Sequence, residues 1–98
     1  MKYLFVLLIG LSCSSVFAQD GVAAFKSRQQ ASQGIMRHVG GGLGGGRYEG
    51  VGFSTRSAQD ALRHCCYYGT RPIRDQAVVY GYNRQSRCWG WFATVIYN

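Results

Sequence analysis

No run of 18 apolar residues appears anywhere in the 98-residue chain, so nothing in it can act as a stop-transfer helix. Acidic side chains are also scarce. Asp20, Glu49, Asp60 and Asp75 are the only carboxylates, too few and too scattered to suggest a general acid–base pair. No two cysteines stand at C-x-x-C spacing, which argues against a zinc site. Proline occurs once, at Pro72, and the length leaves no room for a two-domain enzyme. Glycine, arginine and aromatic residues are plentiful. Glycine reaches 14 residues and aromatics 14%, the latter too many for a wholly disordered chain.

The first eighteen residues have the layout of an export signal. Met1-Lys2 is a short positive start, Tyr3 to Leu11 is an apolar core, and Val16 and Ala18 are the small residues that a signal peptidase accepts. Residues 1–18 are therefore expected to be removed, giving a secreted or periplasmic protein that begins at Gln19 and is not inserted in a membrane. The alternative is a lipoprotein anchored at Cys13. G-L-S-C resembles a lipoprotein box, but Gly10 and Leu11 depart from its usual residues.

Three zones follow. Residues 19–39 are rich in Ala, Gln, Ser and Arg and have few bulky apolar side chains. They read as an arm that is weakly helical or disordered. Residues 40–46, G-G-G-L-G-G-G, read as a flexible linker. Residues 47–98 hold most of the aromatic and β-branched residues and read as a small α+β domain. A core of that size is marginal without a staple or a partner.

Within that domain the expected order is β-α-β-β. Tyr48–Ser54 reads as a strand with Val51 and Phe53 on one face and Gly50 and Gly52 on the other. Those glycines either weaken it or admit another backbone or side chain at close range. Ser57 and Asp60 resemble a capping box, and Ala58, Ala61, Leu62 and Cys65 form an apolar helical stripe. Gly69 and Pro72 should stop this helix near Tyr67-Tyr68. Gln76–Tyr82 and Cys88–Tyr97, parted by N-R-Q-S-R, read as a hairpin. The last strand is the longest and most apolar, so it belongs in the centre of a three-stranded antiparallel sheet of order β1-β3-β2, with one helix packed on one face. The other order, β1-β2-β3, would need a parallel crossover.

The blocks E-G-V-G-F-S (Glu49 to Ser54), S-A-Q-D-A-L and C-C-Y-Y-G (Cys65 to Gly69) resemble a group of small exported bacterial proteins. Those carry a similar E-G-V-G block, a Cys-Tyr pair before a glycine and an aromatic last strand. The resemblance spans residues 41–98. It implies export and architecture, and it carries over no catalytic residue.

No constellation of reactive groups emerges. The glycine tract contains G-x-G-x-x-G and G-x-x-x-x-G-R, yet a strand follows it where a phosphate loop needs a helix, and Tyr48 stands where Ser or Thr would be needed. Of the three cysteines that follow the leader, Cys65 and Cys88 fall at opposite ends of the expected fold, too far apart for a disulfide. His64, Cys65 and Cys66 point in different directions along a helix, which disfavours a metal site or a nucleophilic dyad. The expectation is a non-enzymatic protein with no catalytic residues, no metal and no cofactor.

Two surfaces remain. Nine arginines and one lysine follow the leader, and arginine matches phosphate, sulfate and carboxylate in bidentate geometry. The topology places Arg56, Ser57, Arg84 and Arg87 at one end as a candidate anion site, with Arg71 and Arg74 at the other. Alternation in the last strand also puts large side chains on both faces. Either Trp89 and Trp91 or Phe92 and Ile96 must find cover beyond the single helix, from the N-terminal arm or from a second copy of the chain as a homodimer. Together these point to an exported binding or interaction module for an anionic polymer or an envelope partner protein. The competing reading is a structural envelope protein that self-associates through its sheet face. Nucleic acid fits the charge and aromatics but conflicts with export.

Overall fold

Strand propensity and alternation are strongest in the last segment, and the sheet is built around it. In the computed structural model, which describes residues 21–98, the strands are β1 (Tyr48–Ser54), β2 (Ile73–Asn83) and β3 (Cys88–Tyr97), all antiparallel in the order β1-β3-β2. Every residue from Phe92 to Tyr97 is buried. The expected leader and the Cys13 alternative lie outside the described residues.

Register fixes the faces. Gly50 lies opposite Val95 and Phe53 opposite Phe92, while on the other side Tyr80 lies opposite Trp91 and Tyr82 opposite Trp89. Side chains alternate along a strand, so Trp89, Trp91, Ala93, Val95 and Tyr97 share one face of β3 and Phe92, Thr94 and Ile96 the other. A helix packs on each.

On the first face, α2 (Ala58–Arg63) sets Ala61 and Leu62, followed by Cys65, against Ala93, Val95 and Tyr97. Ser57 caps it, its Oγ accepting from the Asp60 N–H at 3.0 Å. The approach depends on the bare side of β1. A Cβ on Gly50 would stand 2.6 Å from the Cys66 carbonyl oxygen. The helix is shorter than the sequence suggests, because after Arg63 the chain closes successive turns, Cys65 N–H to Leu62 O, Tyr68 N–H to Cys65 O and Thr70 N–H to Tyr67 O. Tyr67 takes a left-handed φ of 70°. Its ring then packs 5.6 Å from Tyr48 and 6.0 Å from Tyr97, with the Arg71 guanidinium 3.8 Å above Tyr48. That aromatic packing offsets the strained backbone, which costs of order 1–3 kcal/mol.

The N-terminal arm covers the second face. It forms α1 (Val22–Gln33), whose buried residues Ala23, Ala24, Lys26, Ser27 and Gln30 follow helical spacing. The contact is largely polar. Ser27 Oγ lies 3.1 Å from the Ala77 carbonyl oxygen and 3.0 Å from Thr94 Oγ1, and Gln30 Nε2 donates to Thr94 Oγ1 at 2.7 Å. Lys26 Nζ donates to the Val39 carbonyl at 2.8 Å and pairs with Glu49 of β1 at 3.5 Å. Asp75 caps the helix start, accepting from Ala23 N–H at 3.0 Å. The helix can lie this close over β2 because Gly81 has no side chain; a Cβ there would be 3.0 Å from that of Ala31. The glycine tract between α1 and β1 is pinned, with Leu43 packed against the Ala23–Ile96 cluster and the Gly44 carbonyl accepting from Arg74 at 3.0 Å.

Candidate binding face

The six residues of α2 reach β1 and the inner half of β3, but they stop short of the hairpin tip. Beyond them lies a cross-strand ladder from β2 and β3. Trp91 and Tyr80 meet edge to face at 4.9 Å, Tyr80 stacks on Trp89 at 5.9 Å and 19°, and Trp89 meets Tyr82 at 5.6 Å. Trp91 is half-buried beside the core, while Trp89, Tyr80 and Tyr82 are 59%, 54% and 40% exposed. Among the described residues, none of the four rings uses its hydroxyl or indole N–H in a hydrogen bond. Exposed rings held in contact by sheet pairing form a rigid aromatic platform.

Sequence reasoning placed Trp89 and Trp91 here and missed Tyr80 and Tyr82. Their signal was present in A-V-V-Y-G-Y, where alternation puts both tyrosines on the face of Val78.

The arginines divide. Arg84 leans onto the end of α1, its backbone N–H donating to Gly34 O at 2.7 Å and its guanidinium reaching Gln33 O at 3.5 Å. Ser57 Oγ is occupied by the cap. The Asp60 carboxylate already sits at the start of α2, accepting from Ser54 Oγ at 2.7 Å and lying 3.5 Å from His64 Nε2. The Ser54 bond is the main cause holding the Asp60 carboxyl below its ordinary value, with His64, Arg56 and Arg63 adding to it against partial desolvation. Of the expected anion site, Arg56 and Arg87 remain exposed, and among the described residues their guanidiniums make no hydrogen bond. Arg56 lies two residues beyond Ser54, the residue opposite Trp91, and near enough to Asp60 to help hold its carboxyl down; Arg87 directly precedes β3. At the far end Arg71 is stacked on Tyr48, and Arg74 is tied to Gly44 and Asn98.

Most of the other chemistry-bearing groups are engaged within the fold. His64 Nδ1 lies 3.1 Å from the Phe53 carbonyl. Cys65 is buried with Sγ donating to the Ala61 carbonyl, and burial pushes its thiol up to about 12, Cys66 adding to the shift. Cys66 is exposed and Cys88 half-buried; all three described thiols are free. Glu49 is held between Lys26 and His38, the latter at 3.4 Å. A cleft of about 260 Å³ lies between α1 and the glycine tract, lined by Gly21, Val22, Phe25, Lys26 and Gly40 to Gly42. The lysine there is already paired, and no carboxylate or thiol lines it. No group of three His, Cys, Asp or Glu side chains converges, and no helix is long and apolar enough to cross a membrane, among the described residues. No family model, curated protein or solved structure matches the chain.

Proposed function

We propose that this chain is an exported, non-enzymatic binding module that engages its ligand through the aromatic face of the β2–β3 hairpin. The observation that carries the reading is the exposed ladder Trp91–Tyr80–Trp89–Tyr82, preformed and open along one side. An apolar patch of this kind, rimmed by polar residues, is a usual mark of an interaction site. The leader-like residues 1–18 support export. The engagement of His64, Cys65 and Glu49 by groups of the fold supports binding over catalysis, since a nucleophile or base must be free to reach a substrate.

The test is a pair of measurements on the purified protein and its Trp89→Ala variant. Sedimentation over a concentration series reports self-association, and co-sedimentation with isolated cell-envelope polymers reports binding. A monomer that is retained by the polymers only when Trp89 is present supports the reading. Equal retention of the variant refutes it. A dimer that Trp89→Ala dissolves would establish the self-associating structural protein in its place.

A further inference from the structure

At the end of the sheet away from the hairpin tip, one arginine is held in place without spending its donors. Arg37, Arg74 and Arg84 give guanidinium hydrogen bonds to other groups of the fold, and Arg56 and Arg63 lie close enough to Asp60 to help hold its carboxyl down. Arg47 and Arg87 are exposed, and among the described residues nothing fixes their guanidiniums. Arg71 differs from both groups. Its guanidinium carbon stands 3.8 Å from the centre of the Tyr48 ring and 4.8 Å from that of Tyr67, yet among the described residues it makes no hydrogen bond and no ion pair.

The backbone that carries it is fixed as well. Pro72, the single proline of the chain, restricts the residue before it to extended backbone. Thr70 bonds to the Tyr67 carbonyl through both its N–H and its Oγ1, at 2.9 and 2.8 Å, and the Pro72 carbonyl accepts from Asn98 N–H at 3.0 Å. The left-handed φ of Tyr67, 70°, sets its ring beside Tyr48, and backbone strain of this kind gathers at ligand clamps. A free arginine loses much side-chain entropy on gripping an anion; at Arg71 the rings and the turn have already restricted the side chain, and the N–H fork stays open. The charge at this end has one sign. Register brings Arg47 and Arg74 here, next to the row Tyr48–Tyr97–Ile73. Glu49 is taken up by Lys26 and His38 on the opposite face, Asp75 caps α1, and Asp60 bonds Ser54 at the other end of β1. We propose that Arg71 anchors an oxyanion site, separate from the aromatic face of the hairpin, that takes a carboxylate, phosphate or sulfate group in bidentate contact.

Arginine side-chain NMR of the full chain, titrated with sodium acetate, sodium phosphate and sodium sulfate at constant ionic strength, tests this. The Arg71 Nε–H signal should saturate with at least one of the three anions, at a dissociation constant about ten-fold or more below that of Arg47 or Arg87. The anion that binds most tightly names the source of the oxyanion. Tyr67→Ala keeps the charge but frees the side chain, and should weaken that anion about five- to ten-fold. Arg71→Lys keeps the charge and loses the fork; followed at the Thr70 amide, it should cost about as much. Circular dichroism checks that each variant folds, and Arg71→Lys carries the test alone if Tyr67→Ala does not. Trp89→Ala should leave the affinity unchanged. Signals of Arg71, Arg47 and Arg87 that shift alike, or that fail to saturate with any anion, would reduce the site to diffuse charge attraction and overturn it. An affinity that survives Arg71→Lys would overturn it too. Binding that Trp89→Ala removes would place the anion at the hairpin and overturn the Arg71 site, while leaving the aromatic face standing.

Discussion

Removing the ammonium of Lys26 is the perturbation that most directly tests how α1 is held. Lys26 is 2% exposed, bonded to the Val39 carbonyl at 2.8 Å and paired with Glu49 at 3.5 Å. Methionine keeps the unbranched stem, so Lys26→Met removes the charge with little change of packing. Two losses follow. A hydrogen bond from a charged donor, worth about 1.5–3 kcal/mol, disappears. Glu49 also stays buried with His38 as its remaining ionic partner and with Oε2 unbonded. Breaking one side of a buried pair costs about 3–5 kcal/mol. That is a large part of the total for a domain this small, about 0.05–0.15 kcal/mol per residue. With a urea slope near 1 kcal/mol/M, the midpoint should fall by about 3 M or more. Glu49→Gln removes the stranded charge, so the double variant should recover about 2 kcal/mol relative to Lys26→Met. Urea titration by circular dichroism of wild type, both single variants and the double variant closes the cycle. A Lys26→Met cost below about 1 kcal/mol, or a double variant no more stable than Lys26→Met, would refute the account.

Three further outcomes follow from packing and titration. Gly50→Ala should destabilise by about 1–3 kcal/mol in thermal melts, because its Cβ meets the Cys66 backbone, whereas Gly42→Ala, which meets nothing within 4 Å, should be nearly silent. The Cys65 thiol ionises near 9.0 when unfolded and near 12 when folded, so the stability it contributes is full below pH 9 and lost as pH rises toward 12. Cys65→Ala should flatten that alkaline loss, and in the native protein iodoacetamide at pH 8 should label Cys66 but not Cys65. The Asp60 carboxyl is held below 3.8, so its contribution is present above that pH and lost as pH falls through the folded value. Ser54→Ala should reduce the acid sensitivity in melts below pH 4, and an unchanged acid limb would count against the Ser54 bond as the main cause.

How far the fold can be read from the residues depends on the kind of burial involved. The sheet order β1-β3-β2 follows from a last strand too apolar for an edge. The pairing of α2 with β1 is foreshadowed by Gly50 and Gly52 alternating with Val51 and Phe53. The arm is harder. Its helix buries Lys26, Ser27 and Gln30 and leaves Phe25 48% exposed, so hydrophobic periodicity has little to detect. Its bonds to Thr94, Ala77 and Val39 are long-range and have no local signature. The need for a second cover, over either Trp89 and Trp91 or Phe92 and Ile96, was legible, but which face receives it and its polar chemistry were not. At the hairpin the residue types announce an aromatic face, yet only register shows that Tyr80 and Tyr82 complete it. Only the position of α1's end shows why Arg84 turns away.

An exposed aromatic ladder also has a purely mechanical explanation, since cross-strand aromatic pairs stabilise a hairpin by about 0.2–1 kcal/mol each. That explanation fits poorly here. The β2–β3 pair runs from Ile73 opposite Tyr97 to Asn83 opposite Cys88 and is buried at its centre by helices on both faces, so it needs no staple at the tip. The turn has its own fixings, with Asn83 Oδ1 accepting from the Gln85 and Ser86 N–H groups. A staple, moreover, gains from burial, whereas Trp89, the ring at the centre of the exposed contacts, is the most exposed of the large hydrophobic side chains described. The two explanations separate on one variant. A staple makes Trp89→Ala lose stability and leaves affinity alone; a platform makes it lose affinity with a stability change of about 1 kcal/mol or less.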